Sequence, residues 1–204
     1  MFDFGITAIA GWVAGILGFF AFIPYILAIL RGKTTPNRAT WLIWTVVSTI
    51  SLLSYNAGGA VNTIWYPISD AVAPFIILIL SIRRGEGGWT KLDCSCLVIA
   101  GIGVFFWWFL QSATIALCFS LIADAMGAIP TIVKAYRRPA SEDRIAWTMT
   151  FIAIVVNLAA VENWSSFSIW IYPIYMFISM GTITALLWIS PRKIVDWFNI
   201  NRYF

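Results

Sequence analysis

The chain carries one pattern twice: IPYILAILRGKTTPNRATW at residues 23–41 and IPTIVKAYRRPASEDRIAW at residues 129–147. A shift of 106 residues, from 23 to 129, aligns the shared Ile, Pro, Arg and Trp positions without a gap. In this 106-residue register, Tyr66-Pro67-Ile68 recurs as Tyr172-Pro173-Ile174. Hydrophobic composition alone would not readily place two prolines, two arginines, a tryptophan and a tyrosine in one register. The repeat therefore predicts a protein built from two similar halves.

The composition indicates a membrane protein. Hydrophobic residues make up 61% of the chain and charged residues 11%, with a mean hydropathy of +0.86; a soluble domain has about 25% charged residues. Because about 20 apolar residues cross a bilayer, we read seven membrane spans. They cover residues 5–30, 39–55, 61–82, 94–110, 113–136, 144–161 and 165–190. The connections are short, so the sequence predicts one all-α polytopic membrane domain over residues 1–204.

The basic residues predict the orientation in the membrane. All 13 Lys and Arg lie in or beside the connections and the tail on one side of the predicted spans. They are Arg31, Lys33, Arg38, Arg83, Arg84, Lys91, Lys134, Arg137, Arg138, Arg144, Arg192, Lys193 and Arg202. The opposite connections contain only Asp3 and Glu162 as charged residues. The positive-inside rule then places the N-terminus outside and the C-terminus in the cytoplasm, in a bacterial inner membrane. The net charge of +4 serves this orientation, and we expect no nucleic-acid partner.

The two halves are predicted to be parallel. Residues 5–83 and 113–190 each supply three spans, and residues 94–110 supply a single linker span without a repeat counterpart. With three spans per half, the second half would insert upside down without this linker. The sequence therefore predicts a 3+1+3 arrangement of two parallel triple-helix bundles, followed by a cytoplasmic tail at residues 191–204.

Paired prolines interrupt the predicted spans. Pro24 and Pro130 occupy equivalent places in spans one and five, and Pro67 and Pro173 in spans three and seven. Proline removes a backbone donor and kinks a helix, which membrane helices tolerate when neighbouring groups satisfy the freed carbonyl. Because the prolines are paired across the repeat, we interpret them as hinges for a shared motion. The alternative is ordinary membrane-helix proline.

The repeated stretches resemble the SWEET and PQ-loop transporter families. The entry Ile23-Pro24-Tyr25 and its counterpart Ile129-Pro130-Thr131 each precede basic residues, as in a PQ-loop. Tyr25 and Thr131 replace the Gln that usually follows Pro, and the prolines of spans two and six in sugar-carrying SWEETs are missing. The resemblance implies a divergent bacterial-type member with a SWEET-like 3+1+3 fold. It also implies alternating access, with a small solute held between the halves.

Two acidic residues lie within predicted spans: Asp70 in span three and Asp124 in span five. An ionised carboxylate in hydrocarbon costs at least about 2.5–3.5 kcal/mol, so such groups usually face a bundle interior or a water-filled cavity. We predict that both bind the solute or couple its movement to protons. The alternative is a structural acid, with Tyr66, one turn before Asp70, satisfying that carboxylate. The repeat partners of the acids are Met176 and Gly18, so the predicted site is asymmetric.

A polar and aromatic stripe runs along span two and includes Trp41, Ser48 and Ser51. In span six, Trp147 and Asn157 are the register partners of Trp41 and Ser51. Such a stripe suits a solute passage, because aromatic walls and hydroxyl groups bind and orient small polar molecules. Both tryptophans lie near the basic connections, so interfacial anchoring is an equal alternative for them.

The sequence predicts a transporter of a small polar solute, such as a sugar, a vitamin or nucleoside, or an amino-acid-like molecule. A non-transporting seven-helix receptor or sensor on the same scaffold is the alternative. The chain has no His, and its three Cys show no metal-ligand pattern, so we expect neither an enzyme nor a metal or other cofactor. The expected partners are the solute and the lipid bilayer, and a homo-oligomer is left open.

Overall fold

The computed structural model describes residues 5–32, 35–85, 88–137, 139 and 142–189, and its secondary structure in these ranges consists of seven α-helices with short connections. The helices are α1 (Ile6–Leu30), α2 (Arg38–Ala57), α3 (Trp65–Arg84), α4 (Lys91–Leu110), α5 (Ala113–Arg137), α6 (Arg144–Leu158) and α7 (Phe167–Ile189). The predicted tail at residues 191–204 lies outside the described residues. The predicted third span was placed too early, because residues 61–64 form a connection and α3 begins at Trp65.

Equivalent residues begin α2 and α6. The Asn37 side-chain oxygen accepts a hydrogen bond from the Thr40 backbone N–H at 3.1 Å. Asp143, its partner in the 106-residue register, accepts from the backbone N–H groups of Ile145 and Ala146 at 2.9 and 3.1 Å. Asn and Asp are preferred N-caps because they satisfy backbone donors that lack a partner within the helix. The repeat thus encodes the same helix start twice.

Four of the described helices are long and apolar enough to cross a membrane: α1, α3, α5 and α7. The apolar stretch of α4 (residues 94–110) and α6 (residues 144–158) are shorter. At 1.5 Å per residue, the 15 residues of α6 extend only about 22 Å. Large apolar side chains are nevertheless exposed even on α4, where Trp108 is 73% exposed. Several long apolar helices with apolar outer faces are compatible with an integral membrane protein.

Helix α2, which is not among these four helices, contains a buried row of hydroxyl groups. Thr45, Ser48, Ser51 and Ser54 recur every three residues and are all buried. The hydroxyl of Thr45 donates to the Trp41 carbonyl at 2.7 Å, so it is satisfied within its own helix. A helix can therefore carry many polar residues and still present apolar groups such as Leu53, which is 53% exposed, to its surroundings.

The helices contact one another in the same order in both halves. In the first half α3 packs against both α1 and α2, and in the second half α7 packs against both α5 and α6. Across the halves, α1 packs on α6 and α2 packs on α5, which are equivalent pairs under the repeat. Helix α4 packs on α5 and α2. Gln111 adopts a left-handed conformation (φ 52°) in the two-residue connection that turns α4 back along α5.

Two core clusters occupy equivalent positions in the halves. The first contains Ile29, Trp41 and Ile77, packed with Ile26 and Leu80. The second contains the register partners of all five: Ala135, Trp147, Ile183, Ile132 and Leu186. The repeated sequence therefore makes repeated packing, and it does so beside the basic connections.

The connections at the opposite end tie the halves together. Glu162, between α6 and α7, accepts hydrogen bonds from the backbone N–H groups of Val61 and Asn62 at 2.6 and 3.3 Å. The Ser168 hydroxyl donates to the Gly58 carbonyl at 3.1 Å. Since Gly58 follows α2 and Ser168 begins α7, the two equivalent connections lie at one end of the molecule.

The four predicted hinge prolines have different surroundings. Pro24 and Pro173 lie inside α1 and α7, and Pro130 lies within the range of α5. Pro67 occupies the first turn of α3, where its missing N–H would lack a helical partner in any case. The predicted interruption at Pro67 is therefore wrong. The hinge role of all four prolines stays a prediction.

Candidate functional site

The two predicted acids are both bound by α7, through tyrosines that lie three residues apart on that helix. The tyrosines therefore share one face of α7 and bring Asp70 of α3 and Asp124 of α5 to the same part of the molecule. Both residues are partly accessible, although their neighbours Ser69, Ala71 and Ala123 are buried. Partial access allows water or a solute to reach carboxylates that sit between apolar helices.

Asp70 is bound by a tyrosine from the other half. The Tyr172 hydroxyl donates to Asp70 Oδ2 at 3.1 Å, so the expectation that Tyr66 satisfies Asp70 is wrong. Tyr172 is the register partner of Tyr66 and reaches across from α7. Tyr66 itself is 1% exposed and packs in the same cluster.

Asp124 is bound within the second half. The Tyr175 hydroxyl donates to Asp124 Oδ2 at 2.5 Å, joining α5 to α7. The register partners of these two residues are Gly18 and Ser69, and they also meet: a Cβ on Gly18 would lie 2.5 Å from Ser69 Oγ. The repeat has kept the contact between the helices and changed its chemistry from small groups to an acid and a tyrosine.

The acids lack a compensating base among the described residues. The Lys and Arg of this part of the chain lie in connections or in the first or last turn of a helix. Arg84 is separated from Asp70 by about 20 Å along α3. Each carboxylate has a tyrosine hydroxyl on Oδ2, and its Oδ1 accepts no hydrogen bond from the described residues. Two oxygens of the site therefore remain open to a proton or a ligand.

The predicted serines of α2 lie outside this acid pair. Ser48 Oγ donates to the Trp44 carbonyl at 2.6 Å, within its own helix. Ser51 Oγ donates to Ser120 Oγ of α5 at 2.9 Å. Ser120 is one helical turn before Asp124, so Ser51 belongs to the same α2–α5 interface without contacting a carboxylate. Both hydroxyls have partners in the described structure.

Asn157 is a predicted residue whose side-chain amide is buried and unpaired in the described structure. It is 1% exposed, and neither its amide nitrogen nor its amide oxygen has a hydrogen-bond partner in the described structure. Its register partner Ser51 bonds Ser120, but the register partner of Ser120 is the buried methyl of Ala14. The α2–α5 interface therefore contains a bonded pair of serines, whereas the equivalent α1–α6 interface has an amide and an alanine at the same two positions. A buried unpaired amide costs about 1–3 kcal/mol.

The two predicted tryptophans differ in environment. Trp41 is 7% exposed and packs against Tyr25 and Trp44, with ring centroids 5.2 and 5.1 Å apart. Trp147 is half-buried and donates from Nε1 to Glu142 at 3.0 Å. Trp41 is therefore a core residue beside the basic connections, and Trp147 lies at the start of α6. Neither tryptophan is brought to the acid pair.

An apolar groove of about 280 Å³ lies between α1 and α3. It is lined by Trp12, Gly15, Ile16, Phe19, Phe20, Trp65, Ile68, Ser69 and Val72. Trp12 stacks on Trp65 with ring centroids 3.4 Å apart. Polar groups are almost absent from this lining, so the groove is a poor candidate for binding a polar solute.

Two residues of the acid pair's surroundings escaped prediction. Tyr172 could have been inferred as the register partner of Tyr66. Tyr175 offered no such signal, because its partner is Ser69 and its contact with Asp124 depends on how α5 and α7 pack. Tyr55 also packs here, stacking on Tyr172 with ring centroids 5.1 Å apart.

Comparison of the chain with protein-family models, curated proteins and solved structures finds no match. In the described residues, no group of three or more His, Cys, Asp or Glu could hold a metal ion.

Proposed function

We propose that this protein is an integral membrane transporter that moves a small polar solute by alternating access, coupled to protons. In this proposal all seven helices span the membrane as a SWEET-like 3+1+3 arrangement of α1–α3, α4 and α5–α7. The equivalent helix contacts and the equivalent core clusters of the two halves support it. The basic connections would face the cytoplasm of a bacterium.

One observation carries the proposal: the bond from Tyr172 to Asp70 joins the halves at a partly accessible acid. An ionised carboxylate among apolar helices is costly unless a proton or a cationic group neutralises it. Neutralising Asp70 changes the strength of its bond to Tyr172, because a bond to a charged acceptor is about twice as strong as a neutral one. Occupancy of the site is thereby linked to the contact between the halves.

The proposed motion opens and closes the two ends in turn. The end that carries Glu162 is tied across the halves. At the basic end, Trp41 and Trp147 belong to separate clusters, one in each half. Rocking of the halves would separate the Glu162 contacts and bring the two clusters together, as in transporters built from repeats.

Transport is tested in proteoliposomes that contain a pH-sensitive dye. Sugars, nucleosides, amino acids, vitamins and small amines are added one at a time, and internal pH and tracer uptake are recorded. We expect one solute class to be taken up with a change in internal pH. Asp124→Asn should abolish the pH change, while Asp143→Asn, which alters an acid outside the site and keeps an N-cap side chain, should keep it.

Three results would contradict this function in whole or in part. If no solute in the panel is taken up, the proposal of transport is contradicted. Saturable binding of a solute without any flux would instead favour the receptor alternative. If the wild type and Asp124→Asn show identical flux at every pH, the proposed proton coupling is contradicted, while the proposal of transport stands.

A further inference from the structure

We infer that the solute of this site is a small organic cation that also carries a hydroxyl or amide group. In this assignment Asp70 and Asp124 neutralise the positive charge, and the amide of Asn157 binds the neutral polar group. The inference rests on the proposed function and specifies its substrate class.

The charge of the site selects a cation. Asp70 and Asp124 are held on one face of α7 by Tyr172 and Tyr175, and Tyr66 packs in the same cluster as Tyr172. All of these groups are neutral or negative, and no described Lys or Arg lies beside them. An anionic solute would meet two acids, and a neutral sugar would leave both without a counter-charge. A cationic group offers the open Oδ1 atoms the partner that they lack.

The walls of the site favour an organic cation over a metal ion. Calcium takes six to eight oxygen ligands, whereas each carboxylate here is already fixed by one tyrosine. The surrounding cluster contains the aromatic rings of Tyr55, Tyr66 and Tyr172. Aromatic rings attract organic ammonium and guanidinium groups through their negative faces.

Asn157 supplies a second, independent observation that points to a ligand. It follows Ala153 by four residues and Ile154 by three, so the three share one face of α6. Ala153 and Ile154 belong to the cluster that contains Tyr66 and Tyr172, and Asn157 therefore points toward the same core. Its amide can both donate and accept a hydrogen bond, and both capacities are unused. A hydroxyl or amide on the solute would use them.

The charge requirement is tested first on the unaltered protein in detergent. Choline is compared with 3,3-dimethyl-1-butanol, its uncharged isostere, and ethanolamine and hydroxyethylguanidine supply the other cationic groups. Thermal midpoints and tracer binding are measured, with glucose as a neutral polar control. We expect at least one cation to bind and to raise the midpoint, and the uncharged isostere and glucose to do neither. Absence of binding by every cation, or equal binding of the isostere, overturns the inference.

The residue assignments are tested with the cation that binds best. Asp70→Asn and Asp124→Asn should each weaken its binding at least about tenfold, and Asp143→Asn, which alters an acid outside the site and keeps an N-cap side chain, should not change it. Asn157→Leu should weaken binding of the hydroxyl-bearing cation about fivefold and leave that of its analogue without the hydroxyl, such as ethyltrimethylammonium for choline, unchanged. Equal affinities in the acid variants and the wild type would contradict the assignment of Asp70 and Asp124 to the cation site.

Tracer counterflow separates this inference from the proposed function. Cation binding without flux would contradict transport and keep the substrate class. Flux of a sugar or another neutral solute, with no cation bound, would contradict the substrate class and keep transport.

Discussion

The first and second halves of this protein share a register, but their first helices pack differently: α1 on α3 in the first half and α5 on α7 in the second. A Cβ on Gly11 would lie 1.9 Å from the Asn62 backbone oxygen, and one on Gly15 would lie 2.8 Å from the Trp65 backbone oxygen. The glycines thus let α1 lie directly on the backbone at the start of α3. Their register partners in α5 are Leu117 and Leu121, both buried.

This difference in packing determines which helix pair has space for polar side chains between its helices. At the third position of the series, Gly18 of α1 meets Ser69, whereas Asp124 of α5 meets Tyr175. A helix pair in close backbone contact has no space for an acid and a phenol. The pair with large side chains between its helices does have this space. The first half is therefore the more closely packed, and the second half carries most of the polar site.

The largest effect is expected when the close contact is broken. Gly11→Leu places in α1 the residue that α5 carries at the equivalent position. Because its side chain would enter the backbone of Asn62, we expect a loss of at least about 3 kcal/mol in stability. Thermal unfolding in detergent measures it. The control is Gly101→Leu in α4, where a Cβ has open space; equal destabilisation by both would show that the contact is unimportant.

A smaller effect is expected from the paired tyrosines. Tyr172→Phe removes the hydroxyl bound to Asp70 and should lower stability by about 1–3 kcal/mol at a pH at which the acid is ionised. Tyr66→Phe, at the equivalent position, removes a hydroxyl for which the described residues provide no hydrogen-bond partner and should cost less. Thermal midpoints of both variants decide the comparison. An equal or larger loss in Tyr66→Phe would contradict the assignment of Tyr172 to Asp70.

The smallest effects are expected at the two equivalent interfaces between the halves. Ser51→Ala removes the bond to Ser120 and should lower stability by about 1 kcal/mol. Asn157→Leu removes an unpaired buried amide and should leave stability unchanged or raise it by about 1 kcal/mol in the absence of solute. Chemical or thermal unfolding of the two variants checks the opposite signs. A clear loss in Asn157→Leu would show that the amide has a partner in the apo protein.

Much of the helical framework could be predicted from local patterns. The seven helices of the described chain match the seven apolar stretches in order, and the caps Asn37 and Asp143 mark the starts of α2 and α6. The start of α3 was missed because Val61 and Ile64 continue its apolar pattern, while their backbone belongs to a connection held by Glu162. Hydropathy does not distinguish an apolar connection from a helical turn.

The site could be predicted only in part. Acids within apolar stretches can be recognised in the sequence as candidate site residues, because an uncompensated charge there is costly. Their hydrogen-bond partners cannot be recognised in this way, because Tyr172 and Tyr175 lie more than 50 positions from the carboxylates that they bind. Helical spacing suggested Tyr66 for Asp70, but the packing of α7 brings the Tyr172 hydroxyl to that carboxylate.

The sequence by itself determined the repeat, the helices, their caps and the placement of the bases at one end, since each depends on local pattern or composition. The tertiary structure alone decided that Asp70 is bound from the other half, that Ser51 has a partner and that Asn157 does not. These outcomes depend on which atoms meet when helices pack. Two equivalent positions in one register can therefore end with a hydrogen bond in one half and an unpaired amide in the other.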